Sequence, residues 1–206
     1  MSERLRSLVF HESSATAKVN YAPLVIPGLL QTEAYASALI TADIGQFNAP
    51  PAVDVRMRRQ RILRDPRSPL DGTFYIHEQV LHLPVGGNRV MNEQLLQLVL
   101  LAEQPNISIR VVPTALGARS HFGRAFLVLH YRQHRPLGYQ ESGVLAMFIE
   151  DAELVQRFEW KLSRIAAVAL GPEQSRELIA NAADRYDRPD DPPTPAKDHP
   201  ARECAI

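Results

Sequence analysis

Strand-like and helix-like segments do not alternate along this chain. They come as helices, one strand, a helix, further strands and two closing helices, and that order restricts the fold more than any short motif does. A doubly wound parallel sheet needs strand and helix to alternate throughout, whereas segregated segments favour helices packed on an antiparallel or mixed sheet. The expected class is α+β, a mostly antiparallel small sheet packed with several helices. The clearest helix is 151–170, where Leu154, Val155, Phe158, Leu162, Ile165, Ala166 and Ala169 form one stripe. Before it, β-branched and aromatic residues mark strands at 73–78, 107–112, 125–131 and 137–141. A turn near His134 and Pro136 makes a hairpin of the last two. Helices are expected at 32–42, with Thr32 as N-cap, at 53–63, at 91–103 and at 173–185. Residues 48–51 read as a loop, and residues 11–21 show neither period cleanly, so a short helix and the entry to a strand are both open there.

The 206 residues, 45% of them hydrophobic, suffice for one core of ordinary size. The expected division is an N-terminal extension (1–10), one folded domain (11–186) and a Pro-rich, disordered tail (187–206). Lys plus Arg and Asp plus Glu are both 23, so no global field draws the chain to a phosphate backbone or an anionic membrane. Direct nucleic-acid and membrane contacts are not expected. The lone Cys204 excludes an intrachain disulfide framework and fits a reducing cytoplasm. No apolar run reaches the roughly 18–20 residues needed to span a bilayer.

No phosphate-binding Gly-rich loop, nucleophile elbow or zinc-binding helix pair is present, so the sequence names no catalytic residue, metal or cofactor. His11, His77, His82, His121, His130, His134 and His199 lack a metal-ligand spacing. His77 and Glu78 make the best catalytic-looking pair, but neighbours on a strand face opposite sides. Arg56, Arg58, Arg59, Arg61 and Arg64 form the strongest charge cluster; a solvated helix face and an anion contact are both open readings. The stripe on 151–170 serves as core or as the seam of a homodimer.

The passage Tyr21-Ala-Pro-Leu-Val-Ile-Pro-Gly-Leu-Leu-Gln-Thr-Glu-Ala-Tyr-Ala36 resembles the hallmark of one family. It is similar to a segment of the C-terminal domain of unknown function carried by WhiJ-like, XRE-type helix-turn-helix regulators of streptomycetes and other actinobacteria. Further matches keep the family's order: Glu12 with Ala15, Arg56-Met-Arg-Arg-Gln60, Glu78 with Leu81, Gly86-Gly-Asn-Arg-Val-Met91, Asn106-Ile-Ser-Ile-Arg-Val-Val-Pro113 and Tyr139-Gln-Glu141. The resemblance covers about residues 10–182 and implies a sensory or interaction domain in transcription regulation, resembling an antitoxin in its pairing with a small partner protein. It also implies a helix-turn-helix in roughly the 60–80 residues before Glu12. Eleven residues precede Glu12, so regulation is expected to be indirect, through a small-molecule ligand, a small partner protein or a separate DNA-binding regulator.

The polar residues that carry the resemblance are Glu12, Gln31, Arg56, Arg59, Gln60, Glu78 and Glu141, and their types allow Arg–carboxylate pairing around a pocket. A ligand site and an internal ion-pair network are both open readings of that set. The rival function is an enzyme of specialised metabolism on the same scaffold, with His77, Glu78, His121 or Glu141 as acid or base.

Overall fold

The computed structural model describes residues 3–142 and 145–188. The helices are α1 (Glu3–Ser14), α2 (Glu33–Ile44), α3 (Ala49–Arg59), α4 (Asn88–Leu101), α5 (Ala152–Val168) and α6 (Pro172–Arg185). The strands are β1 (Ala17–Ala22), β2 (Asp71–His77), β3 (Ile107–Val112), β4 (Phe126–His130), β5 (Leu137–Ser142) and β6 (Leu145–Ile149). They form one sheet in the order β3-β2-β1-β4-β5-β6. The α+β class is as the sequence indicates, and the sheet is mixed: β1, β2 and β3 pair parallel, whereas β1–β4, β4–β5 and β5–β6 pair antiparallel. Helical connections cause the parallel part. α2 and α3 carry the chain from β1 back to the start of β2, and α4 does the same between β2 and β3, as a parallel pair requires.

Strand alternation sorts the core onto two faces. Phe74, Ile76, Ile107, Ile109 and Val111 meet the inner sides of α4 and α6 on one face, and Leu127, Leu129, Leu137 and Tyr139 meet Leu8 of α1. Tyr75, Phe126 and Val128 meet Val155, Leu162 and Ile165 of α5 on the other. The β3 edge is closed by the α5–α6 link and the first turn of α6: Leu170 N–H of the link donates to Val111 O, and Val111 N–H donates to Ser175 Oγ of α6. No helix is long and apolar enough to cross a membrane among the described residues.

Three local readings change. Residues 49–51 open α3, because Pro at the first helical positions costs no hydrogen bond there. β1 is a central strand, although polar Lys18 and Asn20 occupy the buried positions an apolar residue usually marks. β6 adds an edge strand that its short apolar run did not signal. α1 spans residue 10, with Leu8 buried, and of the Pro-rich tail residues 189–206 lie outside the described residues.

Gly72 shows how tightly the helical face is packed. A Cβ there would lie 2.5 Å from Phe74 Cε2, a ring held at the centre of the main cluster. Gly72→Ala is expected to destabilise the domain by about 1–3 kcal/mol through overpacking. Denaturant titration checks this, and the wild-type midpoint in the variant would contradict the packing described.

Candidate functional site

The site grows from the turn that follows β1. Pro27 fixes the backbone for a 3-10 turn, Gly28–Leu30, closed by Leu30 N–H donating to Pro27 O. Leu29 and Leu30 drop into the core. Thr32 Oγ1 accepts from Tyr35 N–H and caps α2, as its residue type and place indicate. Buried Gln94 of α4 locks the turn from below, donating to Leu30 O and accepting from Thr32 N–H. Gln60 holds it from the side, its Nε2 donating to Gly28 O and to Gln31 O. Gln31 is thus fixed with its Nε2 on Ile26 O and its Oε1 turned to Arg56, whose Nη1 donates to it at 2.8 Å.

Arg56 and Arg59, three apart on α3, share one helix face. Gly28 packs against both, since a Cβ there would lie 3.6 Å from Arg56 Nε and from Arg59 Nη2. Beyond Arg59 lies Glu12 of α1, with a side chain shielded from solvent. Its Oε1 accepts from Lys18 Nζ at 2.6 Å and from Arg59 Nη2 at 3.3 Å. Its Oε2 lies 2.6 Å from Arg59 Nε, a short ion contact in which neither atom gains an aligned hydrogen bond. Burial pushes the Glu12 carboxyl up, but Lys18 and Arg59 outweigh it and hold the group below its ordinary value. Lys18 falls below its ordinary value because burial, helped by the Arg59 charge, exceeds the pull of Glu12. The influence of Glu12 extends to Tyr131, whose phenol is pushed up to about 12 by burial and then by that carboxylate.

Arg56 is placed differently. Among the described residues no carboxylate lies within ion-pair distance of it, and its guanidinium donates to the neutral Gln31 instead. Burial and the neighbouring Arg59 lower its pKa, while Glu141 and Asp43 act from further away to raise it. It opens onto a cavity of about 370 Å³. Leu5 and Leu8 of α1, Ile40 of α2 and Ala52 of α3 supply apolar walls, and Asp43 and Glu141 stand exposed at its rim.

Five of the seven residues singled out in the sequence therefore meet here: Glu12, Gln31, Arg56, Arg59 and Gln60. Glu141, on β5, joins them across the cavity. Glu78 does not. It begins the 3-10 turn Glu78–His82 and accepts from both Thr114 N–H and Thr114 Oγ1 at 2.7 Å, so it caps the loop after β3. The basic cluster divides as well: Arg58 pairs with Asp54 in the open, Arg61 and Arg64 are exposed, and Arg56 and Arg59 turn inward. Lys18 was not picked out, and its only signal is a lone cation on β1 six residues after Glu12.

His77 and His121 line a separate cavity of about 680 Å³ with Tyr21 and Ser120. His77 Nδ1 accepts from Gln79 N–H, which leaves the ring proton on Nε2 facing Ser120 Oγ at 3.1 Å. Ser120 donates its own proton to Gly117 O. That direction of donation is opposite to the one a serine nucleophile needs from its base. Burial, more than the opposing Glu78 charge, holds His77 below its ordinary pKa, with His121 adding to the fall. No three His, Cys, Asp or Glu residues gather as a metal site among the described residues.

Glu12 neutralises two buried cations at once, and this sets its expected behaviour. Glu12→Gln leaves Lys18 and Arg59 facing each other and is expected to cost about 3–5 kcal/mol, whereas Lys18→Met keeps the Arg59 pair and costs less. Because the folded pKa of Glu12 is depressed, its contribution is complete above the ordinary carboxylate value and is lost as pH falls through the folded one. Chemical denaturation from neutral to acid pH should show that loss in the wild type and a flatter profile in Glu12→Gln. Equal costs for the two variants would contradict the shared-counter-ion arrangement.

No curated protein and no solved structure matches the chain. A family profile does, over residues 5–181, from the first turn of α1 into α6. That span takes in every residue of the buried ion cluster and the whole sheet, and on it the chain belongs to the family described as a domain of unknown function, DUF5753.

Proposed function

We propose that the domain is a non-catalytic receiver in transcription regulation, of the kind its resemblance to the C-terminal part of WhiJ-like regulators implies, and that the cavity bordered by α1, α2, α3 and β5 takes its small-molecule signal. The observation that carries this reading is Arg56: a half-buried guanidinium that faces a cavity with no carboxylate in ion-pair contact among the described residues. A charge withdrawn from water without a counter-ion is costly, so such a site favours an anionic group from outside. The neighbouring guanidinium of Arg59 is already engaged by Glu12, which leaves Arg56 as the receiving group. Occupancy of the cavity would fix α1 against α3, since both line it, and so change the surface offered to a small partner protein or a separate DNA-binding regulator.

The rival reading, an enzyme of specialised metabolism, draws less support. His77 and His121 line one cavity, Glu141 another, and Glu78 is spent on Thr114. The reading is tested by thermal unfolding in fractionated metabolites of a producing cell. A ligand at about a hundred times its Kd adds roughly 2.7 kcal/mol, which raises Tm by about 5–10 °C at the 2–4 °C per kcal/mol typical of this size. The rise should appear in the wild type and vanish in Arg56→Ala. If no fraction shifts the wild type, or the shift survives in Arg56→Ala, the receiver reading fails at this cavity.

A further inference from the structure

Resting on that receiver reading, we propose that the ligand of the α1–α3 cavity is a zwitterion: a free α-amino acid with an apolar side chain. The charges around the cavity are arranged in depth. Lys18 is buried, Arg59 lines the cavity with a nearly buried side chain already paired to Glu12, and Arg56 is half-buried on its wall, whereas Asp43 and Glu141 stand exposed at its rim. With Glu12 the count is three cations and three carboxylates, so the site as a whole is neutral. A simple anion would satisfy Arg56 but bring its charge up to two acids. A simple amine would satisfy the rim and leave Arg56 as it is. A molecule carrying both charges satisfies both ends and keeps the site neutral.

The gap fits this arrangement. Neither rim carboxylate reaches ion-pair distance of Arg56, so the opposite charges face each other across the cavity instead of closing it. An α-amino acid places its carboxylate and its ammonium on one carbon. The carboxylate turns inward to Arg56, where a guanidinium offers a two-pronged grip. The ammonium turns outward to Asp43 and Glu141. The side chain lies on the apolar wall of Leu5, Leu8, Ile40 and Ala52. The volume, about 370 Å³, lies near the small end of ligand pockets, which run from about 300 to 1,000 Å³.

The test compares three probes of one carbon skeleton by calorimetry on the full chain: L-leucine, 4-methylpentanoate, which lacks the ammonium, and 3-methylbutylamine, which lacks the carboxylate. L-Phenylalanine, L-valine and L-methionine extend the series. At least one of the amino acids is expected to bind, with each single-charge analogue weaker by about tenfold or more. Arg56→Met should abolish binding. The double variant Asp43→Asn, Glu141→Gln alters only exposed rim residues, so its fold is not at risk; it should lose about tenfold for the amino acid and nothing for 4-methylpentanoate. If the acid binds as tightly as the amino acid, or the rim variant changes nothing, the zwitterion is overturned and a simple anion receptor stands. If no amino acid binds at millimolar concentration while a metabolite fraction still gives an Arg56-dependent shift, the ligand class alone is wrong. If neither occurs, the receiver reading falls with it.

Discussion

A single buried carboxylate ties three elements, α1, β1 and α3, together on one face of the sheet. Glu12 ties α1 to β1 through Lys18 and to α3 through Arg59, in the gap between the cluster under α4 and α6 and the smaller one under α1. Hydrophobic packing alone attaches α1 weakly, since Leu8 is its one fully buried apolar residue. The ion cluster supplies the rest, and its character differs from that of an apolar plug. It is directional, so it sets the rotation and register of α1 on the sheet. It also depends on every member being present, because removing one partner strands a charge in a place water does not reach. Two cations on one carboxylate leave the interior short of negative charge, and the shortage is felt at Arg56.

Much of the passage from Tyr21 to Ala36 serves to build this arrangement. Pro27 and Gly28 make a turn narrow enough for two guanidinium groups to lie against it, Leu29 and Leu30 anchor the turn in the core, and Gln31, Gln60 and Gln94 use amides to satisfy its backbone. Amides suit that task because each offers a donor and an acceptor and adds no charge to a place already rich in cations. The turn is therefore specified by what it must hold as well as by its own conformational preferences.

This division explains what could be read from the residues alone. Segments whose apolar pattern has a clean period, such as 107–112 and 154–169, appear as β3 and α5 within a residue or two. β1 could not be read that way, because its inward positions hold Lys18 and Asn20 in place of aliphatic residues, and only the tertiary partner Glu12 makes a buried lysine tolerable. The Pro50–Pro51 pair reads as a loop from the residues alone and opens α3 in the structure: proline suits a loop or a helix start, and the choice between them rests on contacts further along the chain. Residue types pointed to a carboxylate–guanidinium set, and five of its members gather around the turn at Gly28, with Glu141 facing them across the cavity. Glu78 was grouped with them because its type matched, although its place after β2 sets it to cap a different loop.

In the receiver reading proposed above, the two inward arginines divide the work between structure and reception. Their spacing puts both on one side of α3, but a guanidinium with a buried carboxylate against it is a structural element: moving it to a ligand would expose Glu12 to Lys18 alone. One held by a glutamine amide loses only a neutral hydrogen bond when it turns to a new partner, and neutral bonds contribute about 0.5–1.5 kcal/mol net. Arg56 can therefore respond to an incoming carboxylate with little rearrangement, while Arg59 keeps α1 in place beside it. On that proposal, such a pair, one fixed and one able to turn to a new partner, would let a binding event be felt by the helix at the cavity wall without dissolving the interaction that keeps the helix folded against the sheet.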